Sequence, residues 1–315
     1  MKENELVQAA LQEYGMTGEK AKLIRHNENL TYCVDGKYLL RIHKPKSGFD
    51  MGFFHRSTDA ALLHEGELHF MLHLRSCGLP VQMPLKNLTG KLVTKLPDGT
   101  PATMLTWLPG ETLEHVEQTP DIGHAIGKML GKLHRASAMY QPVYPELFNW
   151  YDRALCERLR KLLTGYYTAG SLEMSFFKVM DMALRVVGEE LEARTASYIL
   201  VHSDLSLSNM LLTEQGIIPI DFSLQGYSVP MLDFGSLFCF LEEPCQKEAV
   251  RGYEEVTGTS VDQRLIDCCL SLQILLSIAL HYPLWAGEPW FQERLPVWCK
   301  EVFAPLTEKA ENHGG

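Results

Sequence analysis

The hydrophobic pattern of this chain changes period several times, and each change predicts an element. Residues 3–14 form a polar amphipathic stretch that predicts a helix. Between 21 and 42 the pattern becomes that of strands: 21–25 and 31–34 flank the loop 26–30, and Asp35-Gly36 supplies a tight turn into 37–42. These three segments predict an antiparallel sheet. After a loop rich in Gly, Phe and His over 47–57, helical spacing returns over 59–76. Glu67 there shares a face with Leu63, Phe70, Met71 and Leu74, and a carboxylate on an apolar, inward face needs a buried partner. Arg41 on the third strand is the candidate. Glu65 is the alternative, because sequence fixes helix phase only to about a residue or two.

Strand patterns over 93–96 and 102–107, turned at Asp98-Gly99, end at Pro109-Gly110. Thr119 is placed to cap a helix that starts at Pro120, and Ile122, Ile126, Met129, Leu130 and Leu133 give that helix an apolar stripe. His134, at the end of the stripe, reads as a packing or hydrogen-bonding residue. Residues 146–196 and most of 236–303 look helical. The uncharged run 268–280 is shorter than the roughly 20 residues that span a bilayer, so it predicts a buried helix.

The candidate chemistry lies in His202-Ser203-Asp204-Leu205-Ser206-Leu207-Ser208-Asn209 and in Asp221. Between them stand an apolar run 210–212, a polar turn 213–216 and a second apolar run 217–220, which predict a hairpin that returns Asp221 to the side of Asn209. Moving a phosphoryl group from ATP to a hydroxyl asks for a carboxylate beside the incoming hydroxyl and for oxygen ligands that hold magnesium on the nucleotide phosphates. Asp204 fits the first role, Asn209 and Asp221 the second. Residues 202–209 match the H-R-D-L-x-x-x-N loop of protein kinases at every fixed position except the Arg, which here is Ser203. His202 reads as a brace for that loop. Asp233-Phe234-Gly235 spells another metal-binding signature, but it lies 24 residues past Asn209, where no single hairpin returns it. Standing before Leu237, Phe238, Phe240 and Leu241, Asp233 reads instead as a helix N-cap.

Residues 202–209, Ile220-Asp221-Phe222, and Gly226-Tyr227 through Pro230 to Leu232-Asp233-Phe234 together resemble the signature of the aminoglycoside phosphotransferase and choline/homoserine kinase family. Leu105-Thr106-Trp107-Leu108-Pro109-Gly110 is similar to the inter-lobe hinge, and Gly131-Lys132-Leu133-His134 to the helix after it, so the resemblance covers about 24–241. It implies an α+β, two-lobed, protein-kinase-like fold. A small antiparallel-sheet N-lobe (1–107) would bind nucleotide, and a larger, mainly helical C-lobe (108–315) would carry the catalytic loop and the acceptor. It also implies ATP as donor, Mg²⁺ as cofactor and a small-molecule hydroxyl as acceptor. Asn27, Asn29 and Thr31, in and beside a first loop without glycine, would then meet the phosphates, and the backbone from Thr106 to Leu108 would meet adenine. The third-strand lysine of the family pattern is replaced by Arg41, which would reach the phosphates and pair with Glu67. Trp285, Trp290, Phe291 and Trp298, with His281, Glu288 and Glu293, could wall the acceptor pocket.

Composition then narrows the setting. At 315 residues, 46% apolar and 22% charged, the chain is ordinary globular material, long enough for two cores. Residues 1–5 lack the apolar core of a signal peptide, so cytoplasmic residence is expected, with reduced thiols at Cys33, Cys77, Cys156, Cys239, Cys245, Cys268, Cys269 and Cys299. A net charge of −10 disfavours nucleic acid and anionic membrane as partners and favours a cationic acceptor. Two other readings share the loop. A Ser/Thr protein kinase would want the Arg that Ser203 replaces and a following A-P-E, which is missing. A nucleotide-binding pseudokinase would be expected to lose Asp204, Asn209 or Asp221, and all three are present.

Overall fold

The computed structural model describes residues 2–18, 20–46, 53, 60–142 and 144–311, so the loop 47–57 lies outside the described residues apart from Phe53. Helix α1 (Glu3–Glu13) precedes strands β1 (Ala21–His26), β2 (Leu30–Val34) and β3 (Tyr38–Ile42); α2 (Ala60–Ser76), β4 (Val93–Lys95) and β5 (Pro101–Thr106) follow. The five strands form one antiparallel sheet in the order β1-β2-β3-β5-β4. Side chains alternate across a strand, and this alternation gives the two faces different jobs. Leu30, Tyr32, Val34, Leu40, Ile42, Ala102 and Met104 pack with Leu6, Val7, Ala10 and Leu11 of α1 in one buried cluster. The opposite face carries Thr31, Arg41 and Thr103 side by side in one cross-strand row. Asp35 and Gly36 turn β2 into β3 with φ of 52° and 68°, the left-handed pair that a tight hairpin requires.

Along the rest of the chain come β6 (Glu111–Thr112), α3 (Pro120–Ser137), β7 (Asn149–Trp150), α4 (Arg153–Thr168), α5 (Met174–Glu192), β8 (Ile199–Val201), β9 (Met210–Thr213), β10 (Gly216–Pro219) and β11 (Gly226–Ser228). Helices α6 (Met231–Phe238), α7 (Glu243–Thr257), α8 (Gln263–Trp285), α9 (Pro289–Trp298) and α10 (Ala304–Glu311) complete it. The Ile122 N–H donates to Thr119 Oγ1 at 3.3 Å, the cap expected for α3. The chain groups into two compact units that interleave in sequence. The first is Met1–Val116 with Arg135–Asn149 and Asn209–Gln225; the second is Glu117–His134 with Trp150–Ser208 and Gly226–Gly315. They differ from the expected lobes 1–107 and 108–315 chiefly in that 135–149 and 209–225 join the first unit. The hairpin does so because β9 pairs with β6, a two-residue strand too short to leave a periodic trace.

Within the second unit, α3 and α7 approach through glycine. A Cβ placed on Gly127 would lie 1.9 Å from the Ala249 carbonyl oxygen, and one on Gly123 would lie 2.4 Å from that of Cys245. Among the described residues α8 is long and apolar enough to cross a membrane, yet 61% of its most apolar window is buried inside the protein. It is the buried helix that the run 268–280 predicts. All eight cysteines are free thiols.

Candidate functional site

The inner face of the sheet supplies a buried ion pair. Arg41 Nη1 donates to Glu67 Oε1 on α2 at 2.8 Å, with both side chains 4% exposed. Glu67, rather than Glu65, is the partner. Burial by itself would favour a neutral guanidinium, but Glu67 and Asp221 outweigh it and hold the Arg41 pKa above its ordinary value. Burial pushes the Glu67 carboxyl up, against the pull of Arg41. Arg41 Nε and Nη2 and Glu67 Oε2 are buried without a hydrogen-bond partner among the described residues. A buried fork with two unused donors is suited to anionic oxygens.

The hairpin brings Asp221 into the same unit. β10 pairs with β9 so that Pro219 lies opposite Met210, and one step on the Ile220 N–H donates to the Asn209 carbonyl at 2.9 Å. Residue 221 therefore leaves the ribbon beside residue 209, as the alternation of apolar runs predicts. Asp221 leaves it with φ +62°, a left-handed conformation that is strained for a non-glycine residue. Its Oδ1 is 3.7 Å from Arg41 Nη1, and its Oδ2 accepts from Arg25 Nη2 at 3.1 Å. Asn209 is buried.

The first loop is closed largely by its own polar groups. The Asn27 N–H donates to the Asn29 carbonyl at 3.3 Å, and the Asn27 carbonyl accepts from the Lys46 N–H at 2.8 Å. Asn29 Oδ1 accepts from His43 Nδ1 at 2.7 Å, while His43 Nε2 lies 3.1 Å from Thr103 Oγ1 and the ring stacks on His64 at 3.4 Å between centroids. Burial, then His64 and Arg41, hold the His43 pKa well below the usual histidine value. At the hinge, the Thr106 N–H donates to the Met83 carbonyl at 2.9 Å, the Thr106 carbonyl accepts from Gln82 Nε2 at 3.1 Å, and the Trp107 N–H donates to the Lys37 carbonyl at 2.8 Å. Leu108 is placed differently, lining a cavity of about 370 Å³ with Pro109, Gly110, Leu212, Thr213 and Ile218. Gly110 permits this crossing, since a Cβ there would stand 2.7 Å from the Leu212 carbonyl oxygen.

The loop that carries Asp204 is held from beneath in the second unit. Asp233 is not a helix cap: it lies in the first turn of α6, fully buried, after Pro230 in the cap position. Its carboxylate accepts from the backbone N–H of His202 at 3.1 Å and of Ser203 at 2.6 Å, and bonds His134 Nε2 at 2.9 Å. A side chain in the first turn leans back past the helix N-terminus, and the loop N–H groups are the donors it meets there. Ser203 adopts φ +64°. Its Oγ donates to the Tyr151 hydroxyl at 2.8 Å, and its carbonyl accepts from Gln273 Nε2 of α8 at 3.0 Å. His202 is fully buried and its Nδ1 accepts the Asp204 N–H at 3.3 Å, so it braces the loop as expected. Asp204 itself is half-buried while His202, Ser203 and Leu205 around it are buried. On α8 and α9, His281 stacks on Trp285, which meets Trp290 edge-on with centroids 5.2 Å apart, and Trp290 in turn meets Phe291 edge-on, Phe291 being only 1% exposed.

A sheet-borne Arg–Glu pair, an amide and a carboxylate set side by side by a hairpin, and a braced loop presenting one carboxylate are the parts of a protein-kinase-like α+β fold. The chain belongs to the phosphotransferase enzyme family APH, whose model matches residues 20–265. It is similar to the amicoumacin kinase of Bacillus subtilis (strain 168), 25% identical over 236 residues that cover 72% of this chain and 64% of that protein. It is also similar to the homoserine kinase of Polaromonas naphthalenivorans (strain CJ2), 29% identical over 152 residues, 44% of this chain and 42% of that one. The matches thus span less than two thirds of the length of these curated relatives. Among solved structures, a microcompartment-associated aminopropanol kinase superposes with a TM-score of 0.74 at 21% identity, covering 99% of both chains. An amicoumacin kinase in complex with AMP-PNP, Ca²⁺ and Ami superposes with a TM-score of 0.69 at 19% identity, covering 98% of this chain and 95% of that one. At such identities the likeness establishes the two-lobed kinase-like fold.

Proposed function

We propose that this chain is an ATP- and Mg²⁺-dependent kinase that phosphorylates a hydroxyl of a small molecule. The observation that carries the reading is the hairpin register that sets Asp221 beside Asn209, with the Arg41–Glu67 pair in the same unit. An amide oxygen and a carboxylate form the hard donor set that Mg²⁺ takes, and the metal supplies charge neutralisation on the phosphates when bound. Arg41 turns its unused donors to phosphate oxygens, and Glu67 keeps it charged and in place. Thr31 stands opposite Arg41 in the same row, which supports a phosphate-side role for it, with Asn27 and Asn29 shaping the loop. Because Thr106 and the Trp107 N–H are already engaged, adenine is read by the hinge backbone nearer Leu108. Asp204 accepts the proton of the acceptor hydroxyl as its oxygen bonds to the γ-phosphorus, and the bond from that phosphorus to the β,γ-bridging oxygen breaks to leave ADP.

The relatives are named for amicoumacin, homoserine and aminopropanol, and a net charge of −10 favours a cationic acceptor of that kind, an amino alcohol. Cytoplasmic residence accords with an ATP-consuming reaction and with eight free thiols. Asp204→Ala should lower turnover about a hundredfold or more while nucleotide binding survives. Near-normal turnover in that variant, measured as ATP consumption across a panel of hydroxylated amines, would refute the role of Asp204.

A further inference from the structure

We propose that Arg25 is a second phosphate-binding residue, one that shares Asp221 with the divalent metal and passes to the triphosphate when the metal takes that carboxylate. This rests on the nucleotide site described above. The first observation is a β-bulge. β1 and β2 pair Leu23 with Tyr32 but Arg25 with Thr31, so Ile24 is an inserted residue. Without it, strand alternation would set Arg25 opposite Leu30, on the face buried against α1; the bulge turns it to the other face. Arg25, Thr31 and Arg41 then form one cross-strand row on the side where Asp221 lies.

The second observation is the contact itself, Arg25 Nη2 to Asp221 Oδ2 at 3.1 Å, made by an arginine side chain that is 43% exposed. An ion pair this exposed is weak and yields readily to a divalent cation on the carboxylate and a polyanion at the guanidinium. The third lies in the loop: 26–30 contains no glycine, the residue that most readily takes the left-handed backbone of an N–H nest over phosphates. A cation at the end of β1 supplies the missing counter-charge.

The test separates the two ligands. Calorimetry with MgATP, in which the metal occupies Asp221, should show Arg25→Gln binding about tenfold more weakly than wild type, the size expected of one lost charge-assisted contact. Mn²⁺ titration without nucleotide, followed by paramagnetic resonance, should show the same variant binding the metal at least as tightly as wild type, since a competitor for Asp221 is gone. Arg25→Lys should recover part of the ATP affinity. Unchanged ATP affinity in Arg25→Gln, or equal losses for ATP and Mn²⁺ as a loosened fold would give, overturns the proposal. Failure of the unsubstituted protein to bind nucleotide at all would instead sink the kinase reading, and is read first.

Discussion

His43 sits among partners that suit a neutral imidazole: an acceptor at Asn29 Oδ1, a hydroxyl at Thr103, a stacked His64 and a nearby arginine. Its pKa is lowered in the folded protein, so its stabilising contribution is present above the unfolded histidine value of about 6.5 and is lost as pH falls below it. The melting temperature should therefore fall more steeply between about pH 7 and pH 5 in wild type than in His43→Gln; parallel slopes would show that this ring is not the titrating group. Asp233→Ala should cost about 3 kcal/mol in urea unfolding, because it strands the buried N–H groups of His202 and Ser203 and the His134 ring. Partnerships of this kind were legible only in part. Arg41 and Glu67 could be matched because an acid on an apolar helix face needs a buried base. Asp233 could not, since its helix position says nothing of the loop it faces, and Arg25 could not, since one inserted residue reverses its side.

At the scale of elements, the glycines of α3 and α4 make opposite predictions. Gly127→Ala forces a methyl group into the Ala249 carbonyl and should cost about 3 kcal/mol by splaying α3 from α7. Gly165, exposed within α4 with nothing within 4 Å of its Cβ direction, should tolerate Ala and gain about 0.7 kcal/mol from helix propensity alone. Urea midpoints of the two variants shifting in the same direction would contradict this account. Helices α1, α2 and α3 and the first three strands were legible because their periods repeat several times, whereas 146–196 and 236–303 read only as helical stretches, without the breaks that separate α4 from α5 and α7, α8 and α9 from one another. β6, β8 and β11, two or three residues each, repeat nothing, and only their pairing defines them.

For the whole molecule, ligand binding and stability are linked. MgATP at a hundred times its Kd should stabilise wild type by about 2.7 kcal/mol against unfolding, and Asp221→Ala should lose the magnesium-dependent part of that gain. An unaltered shift in Asp221→Ala would remove the residue from the metal set. The stretch from Asp204 to Asn209 passes from the second compact unit to the first.

Sequence alone determined the hairpin that brings Asp221 beside Asn209 and the need of Arg41 for a glutamate on the facing helix, because each follows from short-range spacing or from the cost of burying a lone charge, while the structure chose Glu67 over Glu65. Tertiary structure decided which face Arg25 presents, what Asp233 holds, and where 135–149 and 209–225 belong. These depend on a bulge, on a side chain reaching another element and on pairing between distant segments, and no local period encodes any of the three.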